Sequence, residues 1–139
     1  MSSENKSLKQ IISHRLEKLQ KIIDSGVNPF PYKYISSHKV RNIFDNQEVL
    51  LDSNVSIAGR IVSFRKMGKA SFIHIQDETG KLQVYAKNDI LPDGMYDNIV
   101  RNLDLGDIVG VNGDLFINKM GELTIKTTEL EILSKNIRP

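Results

Sequence analysis

A chain of 139 residues and 15.7 kDa, 40% apolar and 26% charged, has room for one packed core with an appendage and is too apolar to stay disordered. It contains no cysteine, which excludes disulfides, thiol nucleophiles and thiolate metal sites. The net charge of +2 hides a gradient: residues 1–45 carry eight basic and four acidic groups and residues 54–87 six and two, whereas residues 88–139 carry five and nine, so a polyanion is expected to meet the first two-thirds of the chain.

Met1–Gln10 is polar and lacks the apolar core of a signal peptide, and no apolar run is long enough to span a bilayer, so a cytoplasmic protein without a membrane partner is expected. Leu8, Ile11, Ile12, Leu16, Leu19, Ile22 and Ile23 recur at helical spacing with Lys9, His14, Arg15, Lys18 and Lys21 between them. This predicts an amphipathic helix with a basic flank, on which Lys18 and Lys21 are candidate phosphate contacts. Gly26 stands where the helix should stop, and Pro29 and Pro31 forbid its continuation. Asn28–Tyr34 reads as an extended connector, and Ser37 is expected to cap a short helix ending near Phe44.

From Asn54 the apolar period becomes two. Val55, Ile57 and Ile61 predict a first strand with Gly59 as its bulge, and Met67-Gly68-Lys69 a turn. A second strand is expected over Ala70–Gln76, a turn at Asp77–Gly80 and a third strand over Lys81–Ala86. Pro92 opens a helical stretch reaching Asn102, with Met95, Ile99 and Leu103 on one stripe. A fourth strand is expected from Leu105 to Phe116, a turn at Asn118–Gly121 and a fifth strand over Leu123–Leu133. Three strands, a helix and two strands are the order of a five-stranded Greek-key OB barrel, whose closure removes the edges a flat sheet would expose. The fold expected is therefore mainly β: residues 1–53 form a helical extension and connector, and residues 54–139 the barrel. A split α+β sheet is the competing architecture.

Strands two and three carry residues that do not suit a core. If Ile73 and Ile75 point inward, then Phe72, His74 and Gln76 point outward; if Leu82, Val84 and Ala86 point inward, then Lys81, Gln83 and Tyr85 point outward. Rings exposed in this way need a cover. One cover is the N-terminal helix. The other is a nucleobase, because single strands bind this face of OB barrels by stacking on aromatic rings. Arg60, Arg65, Lys66 and Lys69 cluster on strand one and its turn as candidate phosphate contacts, and Glu122 lies at the same rim, where its use would be to accept a base N–H. Catalytic readings are weak. His14, His38 and His74 lack metal-ligand spacing, Asp77-Glu78 is turn chemistry, and Gly106-Asp107-Ile108-Val109-Gly110 lacks the lysine and helix of a phosphate cradle, so no catalytic residue and no metal site is assigned.

An ordered series of motifs adds to this reading: Arg15-Leu16-Glu17-Lys18-Leu19, Gly26, Pro29-Phe30-Pro31, Ala58-Gly59-Arg60, Met67-Gly68-Lys69-Ala70-Ser71-Phe72, Gln76-Asp77, Gly80, Leu82-Gln83-Val84-Tyr85, Asp104-Leu105-Gly106-Asp107 and Gly121-Glu122-Leu123. With these the chain, from Arg15 to Pro139, resembles the N-terminal anticodon-binding domain of bacterial class II lysyl-tRNA synthetases. Aspartyl and asparaginyl relatives share the barrel, but the basic helix and the Met-Gly-Lys-Ala-Ser-Phe run favour lysine. The resemblance implies that Phe72 stacks on the central anticodon uridine, that Gln83 hydrogen-bonds it and that Arg65 helps hold it. It also implies that Glu122 reads a neighbouring base, with His74 as a further contact. The implied partner is the anticodon loop of lysine tRNA. The implied complete enzyme joins lysine to tRNA with ATP and magnesium and is a homodimer largely through its catalytic domain. That domain would follow Ile137-Arg138-Pro139, so this chain alone is expected to hold no cofactor and to be inactive, and a monomer is open for it. Two other functions stay in view: a protein-interaction domain and a generic single-strand binder.

Overall fold

Ser7 starts the first helix. Its hydroxyl accepts from the Gln10 N–H while the Gln10 side chain accepts from the Ser7 N–H, a reciprocal cap for donors that a helix start leaves free. In the computed structural model, which describes residues 7–25 and 34–137, this helix, α1, runs Leu8–Asp24. Gly26, Pro29, Pro31 and the connector up to residue 33 lie outside the described residues.

Five strands follow, β1 (Asn54–Met67), β2 (Ala70–Asp77), β3 (Gly80–Lys87), β4 (Ile108–Ile117) and β5 (Leu123–Ser134), and they close into a barrel in the order β1-β2-β3-β5-β4. Neighbours are antiparallel except β3 and β5, which run parallel. The OB barrel expected from the alternation is therefore the one formed. Its inward residues, among them Ile57, Ile61, Ile73, Ile75, Leu82, Val84, Val111, Leu115, Ile125 and Ile132, are buried.

Strand β1 serves two neighbours. Asn54–Arg60 pair with β4 and Arg60–Met67 with β2, so the strand must bend. The bulge that bends it lies at Val62, between Ile61 and Ser63, and not at Gly59. Gly59 is a glycine for another reason: a Cβ there would lie 2.5 Å from the Gln76 carbonyl oxygen. One extra residue at Val62 reverses the inside–outside alternation. Phe64 thus packs against the core, and Arg65, which would otherwise share the face of Ile61, stands opposite Phe72 on the outside.

The helical stretch after Pro92 is two short pieces, α4 (Met95–Asn98) and a 3-10 turn (Val100–Asn102), which bury Tyr96, Ile99 and Val100 in the barrel core. The Tyr96 and Ser71 hydroxyls meet inside at 2.9 Å, which meets the need of a buried phenol for a partner. Strand β4 begins at Ile108 rather than Leu105, because Gly106 takes φ +90° and turns the chain.

Two further helices precede the barrel, α2 (Val40–Asp45) and α3 (Gln47–Leu50), the latter not expected. Ser37 does not cap α2. Its hydroxyl accepts from the Ser56 N–H at 2.8 Å, tying the connector to β1. The α2 donors go instead to the β2–β3 turn: the Val40 N–H to the Asp77 carboxylate at 2.9 Å and the Arg41 N–H to the Thr79 hydroxyl at 3.0 Å. Burial alone would raise the Asp77 pKa, but the Thr79 hydroxyl and the N–H groups of Val40, Thr79 and Gly80 outweigh it and hold the carboxyl below its usual range.

Helix α1 does not cover the β2–β3 face. It docks at the end of the barrel against the 3-10 turn, with Ile22 buried, Lys18 on Asp104 at 2.6 Å and Arg15 donating to the Asn136 carbonyl at 3.3 Å. Lys135, its ammonium fully buried, completes the junction at 2.6 Å from Asp104 and 2.7 Å from Asp107. Burial would raise Asp104, yet the ammoniums of Lys135 and Lys18 more than offset it and keep the carboxyl below its usual range. Asp107, deeper still, is pushed up by burial against the pull of Lys135. With an ammonium and two backbone N–H groups on Asp107, two carboxylates facing two ammoniums is the arrangement that leaves no buried charge alone.

Candidate nucleic-acid interface

Pairing register arranges the outer face of the barrel into rows, because residues directly opposite on neighbouring strands share a face. One row crosses four strands as Arg65, Phe72, Tyr85 and Lys126. Its two rings are stacked, 4.8 Å between centroids at 28°, and the Arg65 guanidinium lies 5.3 Å from the Phe72 centroid. The row is therefore a cation, two stacked rings and a second cation, with Phe72 and Tyr85 both partly open to solvent. A ring platform between two positive groups offers a base a surface to stack on and its phosphates a counter-charge.

The next row is Ser63, His74, Gln83 and Thr124. Gln83 points to the outer face as alternation requires, but it is only 5% exposed, because its neighbours close around it. Its Nε2 donates to the Thr124 hydroxyl at 3.1 Å. His74 Nε2 meets the Glu122 carboxylate at 2.8 Å, so this contact bridges from β2 to the head of β5 across the strand that carries Gln83. Glu122 keeps 45% of its side chain exposed and His74 27%. The expectation that Gln83 is openly displayed is corrected: it sits in the floor of the face.

The structure thus brings Arg65, Phe72, His74, Gln83 and Glu122 together on one side of the barrel. The other five candidate phosphate contacts are more dispersed. Lys69 stands exposed in the β1–β2 turn, beside the ring row. Arg60 is exposed and donates to the Gly106 carbonyl at 3.2 Å. Lys66 donates to the Arg101 carbonyl at 3.2 Å and points into a groove of about 390 Å³ between α1 and the inserted turn. Burial, followed by repulsion from Lys18 and Arg101, pushes its ammonium pKa down. Lys21 is exposed on the same groove. Lys18 is the one most committed elsewhere: only 15% of its side chain is exposed, and its ammonium is held by Asp104.

Three residues of the two rows were not singled out from sequence: Ser63, Thr124 and Lys126. Alternation in Leu123–Thr127 puts Thr124 and Lys126 on one face, but it sets them beside Gln83 and Tyr85 only if the parallel neighbour is known, and β3 and β5 are adjacent only after the barrel closes.

A closed five-stranded barrel with a stacked, cation-flanked ring pair defines a class of nucleic-acid binding domain. Comparison agrees: the tRNA anti-codon family model, described as an OB-fold nucleic acid binding domain, matches residues 55–133, and the chain belongs to that family. More particularly, it is 43% identical over 98% of its length to the lysine–tRNA ligase of Carboxydothermus hydrogenoformans, and 41% over 95% to that of Thermosipho africanus. To a lysine–tRNA ligase of Haemophilus influenzae it is 47% identical over 90% of its length. The chain spans 28%, 28% and 26% of these relatives, about a quarter of each. Among the described residues no helix is long and apolar enough to cross a membrane.

Proposed function

We propose that this chain is the anticodon-reading part of a lysine–tRNA ligase and binds the anticodon loop of lysine tRNA on the β1-β2-β3 face. The observation that carries this reading is the row Arg65, Phe72, Tyr85, Lys126 with Gln83 behind it. A base stacks on Phe72, Gln83 meets its Watson–Crick edge, and Arg65 and Lys69 neutralise the backbone that leads to it. Glu122 accepts from a neighbouring base, and His74, already bonded to Glu122, steadies that carboxylate between uses. The complete ligase is a cytoplasmic class II homodimer that uses ATP and magnesium to activate lysine. The present chain contributes tRNA selection and is inactive alone.

The test is binding of the 139-residue chain to the anticodon stem-loop of lysine tRNA at fixed salt. Phe72→Ala is expected to weaken binding by about 1–3 kcal/mol, the usual contribution of one stacked base. Unchanged binding by a folded Phe72→Ala chain would remove the reading.

A further inference from the structure

A glutamine amide can offer a base either its oxygen or its nitrogen, and the two choices select opposite partners. Here the choice is made by a chain of hydrogen bonds. The Glu122 carbonyl oxygen can only accept. The Thr124 hydroxyl lies 3.0 Å from it and therefore donates its single proton there. With that proton committed, the Thr124 oxygen can only accept from Gln83, 3.1 Å away, so the side of the amide turned toward Thr124 must be the nitrogen. The Gln83 carbonyl oxygen then faces the other way. Among the described residues it accepts no hydrogen bond, while no buried side-chain oxygen or nitrogen is left without a partner, so this oxygen is the part of Gln83 that reaches the surface.

The relay is anchored at its far end as well. The Glu122 carbonyl also accepts the Asn118 N–H at 3.0 Å, and the Glu122 N–H donates to the Asn118 side chain at 2.8 Å, so the β4–β5 hairpin holds the terminal acceptor in place. Gln83 cannot flip without breaking two bonds in series.

We infer that Thr124 is a specificity-determining positioning residue: by fixing the polarity of the Gln83 amide, it makes the site present an acceptor and so favours a base that turns an imino N–H toward it. This rests on the proposed function, in which Gln83 meets the edge of the base stacked on Phe72. Uracil carries such an N–H at N3. Cytosine in the same stacked position turns an unprotonated ring nitrogen, an acceptor, toward the acceptor. Without the Thr124 hydroxyl the amide is free to rotate and to serve either pyrimidine.

The experiment compares binding of the lysine tRNA anticodon stem-loop with that of the same stem-loop carrying cytidine at the central position. It uses the chain as given and its Thr124→Val, Thr124→Ser and Gln83→Ala variants. The uridine-to-cytidine ratio is taken within each variant, so any change in the fraction folded cancels. The chain as given is expected to prefer uridine by about tenfold or more, Thr124→Val to fall below about threefold, and Thr124→Ser, which keeps the hydroxyl, to restore the preference. If Gln83→Ala abolishes the preference while Thr124→Val keeps it, the relay is overturned and the anticodon reading stands. If Gln83→Ala keeps the preference, or the unaltered chain shows none, the reading of Gln83 as the base contact fails and the relay falls with it. Should Thr124→Val not fold, NMR of the unaltered chain decides: a contact between the Gln83 amide protons and the Thr124 side chain is required, and its absence overturns the relay.

Discussion

At the end of the barrel where α1 docks, Lys18, Asp104, Lys135 and Asp107 satisfy one another at 2.6–2.7 Å, and Lys135 and Asp107 are fully buried. On the face of β2 and β3 the reverse holds. Two rings are left partly open, Arg65 is placed over one of them, and the Gln83 oxygen has no partner among the described residues. Both regions contain basic residues, and basic residues alone do not separate them. What separates them is whether a charge already has its counter-charge within the fold. A paired charge serves stability, and a surface that leaves rings and acceptors unsatisfied is built for something that arrives from outside.

The largest effect should come from breaking the paired region. Lys135→Met leaves Asp107 buried without an ammonium and Asp104 with Lys18 alone, and is expected to cost about 3–5 kcal/mol in chemical denaturation, with RNA affinity per folded molecule unchanged. A stable Lys135→Met chain would show that the cluster is not a structural junction. Phe72→Ala is the mirror experiment, since RNA affinity should fall while the denaturation midpoint stays close to that of the unaltered chain. If the midpoint fell and affinity did not, the two regions would have exchanged roles.

A smaller effect concerns the cap that ties α2 to the barrel. Asp77→Asn loses the charge that accepts from Val40, Thr79 and Gly80 and should cost about 1–2 kcal/mol at neutral pH. Because the folded pKa of Asp77 lies below its ordinary value of 3.8, its contribution is complete above that value and is lost as the pH falls through the lower folded pKa. Denaturation midpoints measured from pH 5 downward should therefore fall less steeply for Asp77→Asn than for the unaltered chain. The smallest effect compares two lysines. Lys69→Ala should lower the salt dependence of RNA binding by about one unit of slope, whereas Lys18→Ala should leave that slope alone and lower stability instead. Equal slopes for the two variants would blur the division drawn between the regions.

Alternation made the strands and the outward set Phe72, His74, Gln83 and Tyr85 legible, since period two is a local property of the chain. What stayed hidden was long-range. The donors of α2 are met by Asp77 and Thr79, 37 and 38 residues away, so the local serine drew the expectation of a cap that belongs to the β2–β3 turn. Lys18 reads as a phosphate contact until Asp104, 86 residues on, is seen to hold it. Thr124 and Lys126 enter the interface only because β5 lies parallel to β3, a pairing that barrel closure creates. Gly59 drew the bulge to itself because a glycine inside a strand marks either a bulge or a close approach, and here it marks the second.

Val62 is 39% exposed, and most side chains should be tolerated there. Its place outside the pairing is another matter. Ile61 pairs with Ile75 and Ser63 with His74, so Val62 is the residue β1 carries in excess: taken into the regular alternation it would turn Arg65 toward the core and Phe64 toward solvent, whereas its deletion would straighten the strand and leave both on their present faces. The ring platform thus depends on Val62 standing outside the count, and pairing Val62 in register with β2 would erase the platform while leaving every residue of it in the chain.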